Sequence, residues 1–462
     1  MNYFKIRNLL TLVVITMQFC HLDAQTLYEY SKFRFPEVKV KGLTGTAFLI
    51  GNNNLFEYDN LTSKVKQFSY NINGNYSFFE NTNSKQKIDS WSLTNYFERS
   101  LSEKNLYQPH GLNQQFYIQS SKSQINRKYS HPEFERLGFR QKFTEIDHNL
   151  IVYYSKRIYE DDNFKSKTDN ISAYGSLPLK MGYGRIEPMT DVFLAQFLMD
   201  DLLGAGLISE KFTEEQLFDL AQTMSRIKNV RVFDYRRANI YQLTELSRWM
   251  ERNGIIQNIQ SFTILNDNWT NASIFRRQHG KRISFGVEPW AEYSKINDFD
   301  SNIYYGSGIE LNYYIAKPLS QYSQSDISIT LSYDFQAGDL KDLARISTAY
   351  NYSYNPNSRT TYAISPKATV LLASLDDTYF SLNLPVSVSY FINYRSRISG
   401  FIGVRYNYNK DNLFYRPIRL ENTSYMINRY EFLGLDPFDN FNVLSGKQLQ
   451  IYGNLSFNYA FF

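Results

Sequence analysis

"TYFSLNLPVSVSYFINY", Thr378 to Tyr394, decides how this chain is read. Phe380, Leu382, Leu384, Val386, Val388, Tyr390, Ile392 and Tyr394 hold one unbroken phase, with Ser381, Asn383, Ser387, Ser389 and Asn393 in the other. Successive side chains of a strand point to opposite faces, so the run predicts a strand with one apolar face and one polar face. It is far longer than the ~5–6 residues of an ordinary globular strand. A tilted strand needs only ~9–11 residues to cross a bilayer.

The same grammar recurs on both sides. Ile327, Ile329, Leu331, Tyr333 and Phe335 alternate with polar residues, as do Ile398, Ile402, Val404, Tyr406 and Tyr408. Further runs fall at about 281–295, 303–315, 344–354 and 359–372. The N-terminal part offers Phe68 to Phe78, weaker runs near 86–99, 112–122, 132–145 and 149–158, and a last one from Ile171 to Tyr183. A soluble sandwich or propeller also alternates. Strand length favours a membrane barrel, and so do the aromatics at strand ends (Tyr304-Tyr305, Tyr313-Tyr314, Tyr350/Tyr352/Tyr354), where interfacial girdles sit. Aromatics make up 17% of the 462 residues. Pro178, Pro289, Pro366 and Pro385 cannot donate to a ladder, and are expected at bulges or strand margins.

Residues 1–24 read as a secretory signal peptide: Lys5 and Arg7, an apolar centre from Leu9 to Met17, then Leu22-Asp23-Ala24 before Gln25. Cys20 is the only cysteine and would leave with it, which excludes disulfides and thiolate metal clusters from the mature chain. At the other end, "LQIYGNLSFNYAFF" puts Leu449, Ile451, Leu455, Phe457, Tyr459 and Phe461 on one face. This segment resembles the C-terminal β-signal of Gram-negative outer-membrane barrels, a terminal aromatic strand ending in Phe. The resemblance implies a cell outer-membrane location, with membrane lipid as a partner. It names a class of proteins and no activity.

The expectation is an all-β transmembrane barrel of about 14 antiparallel strands (range ~12–16), with a small α-helical periplasmic insert. Barrel strands occupy 25–188 and 255–462, and the insert 189–254. Counting back from a periplasmic C-terminus places the insert on the periplasmic side, with 355–358 as a turn on the same side. Irregular or helical chain of that size cannot face lipid.

Within the insert, Thr190 can cap a helix through Leu203. Thr213 and Gln216 make a capping box, with Phe212 and Leu217 as a staple, for a helix to about Lys228. A third helix, about Arg237 to Asn253, stops at Gly254. Such an insert can plug the barrel, brace it, or dock a periplasmic protein. Gly182-Tyr-Gly184 lacks the pattern of a phosphate loop and is expected to let the chain turn at the barrel rim.

Charges out of phase with the apolar face carry the functional expectation. Lys180, Arg282, Glu288, Glu292, Glu310, Asp334, Arg345, Lys367 and Arg405 are candidate lumen-lining residues. Rings of such charges set what a pore passes, whereas paired charges can also fill a closed interior. The reading is a pore or channel for small solutes, without cofactor or metal. The alternatives are a barrel docking a periplasmic partner in envelope assembly or secretion, or an outer-membrane lipid-modifying enzyme. An enzyme would need a Ser/His pair or its equivalent. His110, His131, His148 and His279 sit in no nucleophile motif and are expected in polar loops. The basic residues of the insert (Arg226, Lys228, Arg248, Arg252) do not imply nucleic acid in an exported chain with a net charge of only +5.

Overall fold

The computed structural model of the chain describes residues 28–58, 61–103, 110–129, 141–160, 165–230, 235–270, 277–297, 301–337, 342–372, 378–393, 396–409 and 446–459. Sixteen strands form one antiparallel sheet: β1 Val38–Tyr58, β2 Leu61–Asn81, β3 Lys85–Glu103, β4 His110–Tyr129, β5 Gln141–Glu160, β6 Lys165–Ser176, β7 Leu179–Pro188, β8 Gln278–Ile296, β9 Asn302–Pro318, β10 Ser323–Gln336, β11 Leu343–Asn357, β12 Thr360–Ile364, β13 Lys367–Leu372, β14 Thr378–Asn393, β15 Ser396–Asn409 and β16 Gly446–Tyr459. β6 and β7 share one place between β5 and β8, and β12 and β13 share one between β11 and β14. Sixteen strands therefore fill fourteen positions. Among the described residues β1 pairs only with β2, and β16 only with β15.

The expected count of fourteen is met through two offsetting differences. β1 was not anticipated, because Gly42, Gly45, Gly51 and Asn52 to Asn54 break its alternation. The runs near 132–145 and 149–158 belong in part to a single strand, β5, and 130–140 lie outside the described residues.

The prolines explain both interruptions. Pro178 stands between β6 and β7, and Pro366 between β12 and β13. Each break faces a second proline on the next strand. The Leu177 N–H donates to the Pro289 carbonyl at 3.0 Å, and the Ser365 N–H to the Pro385 carbonyl at 3.1 Å. A residue without a donor thus sits opposite a gap in the ladder, so few donors are stranded.

The polarity of the sheet is the reverse of that in a water-soluble sandwich. Leu384, Val386, Val388, Tyr390 and Ile392 of β14 are exposed, as are Ile303, Tyr305, Ile309 and Leu311 of β9, and Leu449, Ile451, Leu455 and Phe457 of β16. The opposite phase carries buried polar residues: Ser284, Glu288 and Glu292 on β8, Gln324 and Asp334 on β10, Ser353 and Asn355 on β11. The one hydrophobic core cluster among the described residues lies outside the sheet altogether.

That core belongs to the insert, which has four helices where three were expected: α1 Thr190–Gly204, α2 Glu214–Lys228, α3 Tyr235–Arg252 and α4 Ile259–Thr270. The fourth follows a capping pair that was overlooked, in which the Asn258 side chain accepts from the Ser261 N–H at 2.8 Å and the Ser261 hydroxyl accepts from the Asn258 N–H at 2.9 Å. Gly254 ends α3 at φ +73, as expected. The Thr213–Gln216 capping box forms, and Phe212 and Leu217 are both in the core. Thr190 does not cap α1; its hydroxyl accepts from the Arg277 N–H at 3.1 Å and so joins the two ends of the insert. No described helix is long and apolar enough to cross a membrane.

Candidate functional site

Antiparallel order puts several features at one end of the sheet. These are the start of β1, the β2–β3, β9–β10 and β11–β12 turns, the entry and exit of the insert, and the end of β16. The helices seat on this rim. Phe197 of α1 packs against Tyr322 in the β9–β10 turn, with ring centroids 5.9 Å apart, and Asp200 accepts from Gln321. Asp267 of α4 bonds Arg359 in the β11–β12 turn. Arg277 is wholly buried between helix and sheet. It donates to the Tyr322 carbonyl (2.7 Å) and the Asn355 side chain (2.9 Å), with its guanidinium 5.1 Å from the Phe193 ring. Burial pulls its pKa down to about 10.

The helices close around a piece of chain for which the sequence reading had no role. Tyr28, Tyr30 and Phe33, just before β1, lie in the helical core. The Tyr28 hydroxyl donates to the Phe212 carbonyl at 2.9 Å, and Tyr30 pairs with Gln196. Burial pushes the Tyr30 phenol up to about 12. At the N-terminus of α2, Glu214 accepts from the Glu29 N–H at 2.9 Å and pairs with Lys32 at 3.1 Å. A carboxylate there also suits the positive end of the helix.

Six of the nine candidate residues come together on the inner wall. Lys180 bonds Glu310 at 2.8 Å, and the other oxygen of Glu310 meets Arg345 at 2.9 Å. Arg282 pairs with Glu145 and lies 4.4 Å from the Phe143 ring. Asp334 accepts from the Trp290 indole at 2.8 Å. Glu288, 5% exposed, has one carboxylate oxygen without a hydrogen-bond partner. That carboxylate borders a cavity with room for about one water molecule, shared with Glu310, Asp334 and Arg345. The other three candidates stand elsewhere. Glu292 is buried higher on β8, Lys367 is half-buried at the start of β13, and Arg405 is buried with its guanidinium 5.1 Å from the Tyr452 ring.

Glycines directly across the ladder make room for the large inward side chains. A Cβ on Gly182 would meet the Phe143 ring, one on Gly286 the Lys180 stem, one on Gly306 the Trp290 indole, and one on Gly403 the Tyr452 ring. Each large group therefore lies along the wall over its glycine. Gly182 and Gly184 make no rim turn, contrary to expectation. Both lie within β7, and Gly184 adopts φ +105. Beyond it the alternation changes phase, so Arg185 and Glu187 are buried where a regular strand would turn them outward.

Sequence reasoning also missed Arg127, Glu145 and Arg34. The weak alternation of β4 and β5 gave no phase from which to assign the first two, and nothing in the sequence marked the segment that carries Arg34.

His110 opens β4, His148 lies in β5 and His279 in β8, and none of the three is in a loop; His131 lies outside the described residues. His148 Nε2 is 2.9 Å from the Ser120 hydroxyl, but Ser120 is only 1% exposed. No described group of His, Asp or Glu is arranged to hold a metal ion.

No family model matches the sequence, and no curated protein matches it. Among solved structures it is similar to the CymD monoaromatic hydrocarbon channel at 6% identity and a TM-score of 0.16, over 82% of this chain and 85% of that one. A likeness this low carries no argument.

Proposed function

We propose that the chain is an outer-membrane β-barrel that passes small solutes, with the helical unit seated over its periplasmic mouth. The reading is carried by the inverted polarity of the sheet. An apolar face this extensive exceeds what a soluble monomer exposes. Each Val or Leu left in water forgoes about 1.5–3 kcal/mol of burial. Hydrocarbon on that face and water on the other remove the conflict.

Fourteen positions are an even number, so β1 and β16 run antiparallel and can close on each other. Lipid supplies no hydrogen bonds to an open edge, which makes closure strongly favoured. A barrel of this size holds more lumen than side chains fill. The glycine pairs add to the free width by keeping Phe143, Lys180, Trp290 and Tyr452 against the wall.

On the rim that carries the helices the β2–β3, β9–β10 and β11–β12 turns are two to four residues long and β4 and β5 are joined by 130–140, whereas β15 and β16 are joined at the other rim by 410–445. Short periplasmic turns and long outer loops are the usual asymmetry. Export through residues 1–24, outside the described residues, is part of the same proposal. The test is planar-bilayer conductance of the purified protein, with Arg345→Ala and Arg405→Ala expected to change ion preference. A protein that inserts and never conducts would end the pore reading.

One observation favours docking as the second reading. Ile256, Ile259 and Phe262 stand exposed on and beside α4, with Ile259 88% accessible. A periplasmic protein that co-purifies, and is lost when the helices are deleted, would favour it. Among the described residues, Ser120 and His148 are the pair that an enzyme reading would rest on. Fatty acid released from phospholipid by the wild type, and not by His148→Ala, would establish it.

A further inference from the structure

The inner wall near the helices carries more guanidinium than carboxylate. Arg127 of β4 is buried, and its hydrogen bonds go to neutral groups, the Thr82 carbonyl at 3.2 Å and the Gln86 side chain at 2.6 Å. Arg185 reaches the next carbonyl of the same turn, Asn83, at 3.5 Å, and its Nε stands 2.5 Å from a Glu187 carboxylate oxygen. The Arg127 guanidinium is within Coulombic range of Arg185, Arg282 and Glu187, and Glu187 within that of Arg34, Arg127 and Arg185. Arg282 lies over the ring of Phe143, whose ladder partner is Arg127.

Four arginines thus converge; Glu187 pairs with Arg185 and Glu145 with Arg282. Asp147 is the third carboxylate in reach, on the Arg282 side, where it also faces Lys180. Arg127 has none of the three in contact. A buried guanidinium without a counter-charge is costly, and the remedy is an anion. The group is open to the interior on one side, since Arg282 keeps 25% of its side chain exposed and Arg34 is half-buried.

We propose that Arg127, with Arg185, Arg282 and Arg34, forms a binding site for a small oxyanion, a carboxylate or phosphate group, just inside the mouth covered by the helices. The planar guanidinium fork suits such a group, which can accept two parallel bonds. The site rests on the solute-passing reading and deepens it, by making anionic solutes the class that lingers at this end.

The test uses the whole mature protein folded in detergent, with inorganic phosphate and acetate as probes against sodium chloride at equal ionic strength. Ligand that binds only the folded state raises the melting temperature with the logarithm of its excess over Kd. Phosphate or acetate is expected to raise the melting temperature by several degrees beyond chloride. Arg127→Gln and Arg185→Gln should each abolish the shift, while Lys447→Gln, exposed at the far end of the sheet on β16, should keep it. Absence of any wild-type shift overturns the site whether or not the variants fold, and so does a shift that survives both substitutions. Conductance is scored separately: phosphate binding without conductance ends the pore reading and keeps the site, and conductance without a phosphate shift does the reverse.

Discussion

The Trp290 indole lies over Gly306, its partner across the β8–β9 ladder, so closely that a Cβ on Gly306 would stand 2.7 Å from the ring. The same indole donates to Asp334 at 2.8 Å. Gly306→Val should therefore press on both the Phe335 carbonyl and the ring, and take the indole hydrogen bond from Asp334. Overpacking of this kind costs about 1–3 kcal/mol. Urea unfolding in detergent should register the loss. Gly74→Ala, where a Cβ meets nothing within 4 Å, should leave the midpoint unchanged.

Glu310 answers Lys180 and Arg345 at once. Glu310→Gln leaves two largely buried cations without their carboxylate, and removal of one partner from a buried pair costs about 3–5 kcal/mol. The unfolding midpoint should fall well below that of the Gly306 variant. An unchanged midpoint would mean that water already solvates both cations.

The segment before β1 should dock in a pH-dependent way. The bond from the Glu29 N–H, and then Lys32, hold the Glu214 carboxyl below its ordinary value. A depressed carboxylate contributes stability that is complete above its unfolded value, ~4.3, and is lost as pH falls through the lower folded value. Docking is thus constant from neutrality down to about pH 5 and weakens below pH 4. Protease cleavage near Lys32 across pH, using an acid-tolerant protease, should follow that course, and Glu214→Gln should flatten it.

Phe33 is buried among the helices and packs edge-on to Phe218, with centroids 5.5 Å apart. Phe33→Ala should cost the helical unit about 3–5 kcal/mol. Loss of helical circular dichroism at a lower temperature, with the strand signal intact, is the expected signature. Simultaneous loss of both signals would show that sheet and helices melt as one unit.

Val386 and Val404 face outward on adjacent strands and are exposed. Because Cys20 is the only cysteine, Val386→Cys and Val404→Cys each give one reporter in a protein produced without residues 1–24. In proteoliposomes both should react with a lipid-soluble maleimide and resist a charged one. Ready reaction with the charged reagent would remove the membrane from the account.

Strand alternation was legible wherever a run kept one phase, as from Thr378 to Asn393. It failed where backbone geometry overrides side-chain pattern. Gly184 shifts the phase of β7, so Arg185 and Glu187 turn inward against the parity of Lys180 and Gly182. The glycines of β1 concealed a whole strand, and the Asn258–Ser261 cap concealed a whole helix. Among the site residues, parity found Lys180, Glu310 and Arg345. It could not say that they touch, because contact across the wall depends on register and on which neighbours are glycine. Arg127 and Glu145 were lost with the weak pattern of their strands.

Residues 28–33 and the helices that enclose them are more than 150 positions apart along the chain. Under the proposed export, the beginning of the protein crosses first and has nothing to bury Tyr28, Tyr30 and Phe33 until the chain beyond Thr190 follows. The leading end must therefore stay uncommitted while half the wall is delivered. Once it is captured, it fixes where β1 starts, so final assembly of the mouth and placement of the first strand become a single late event.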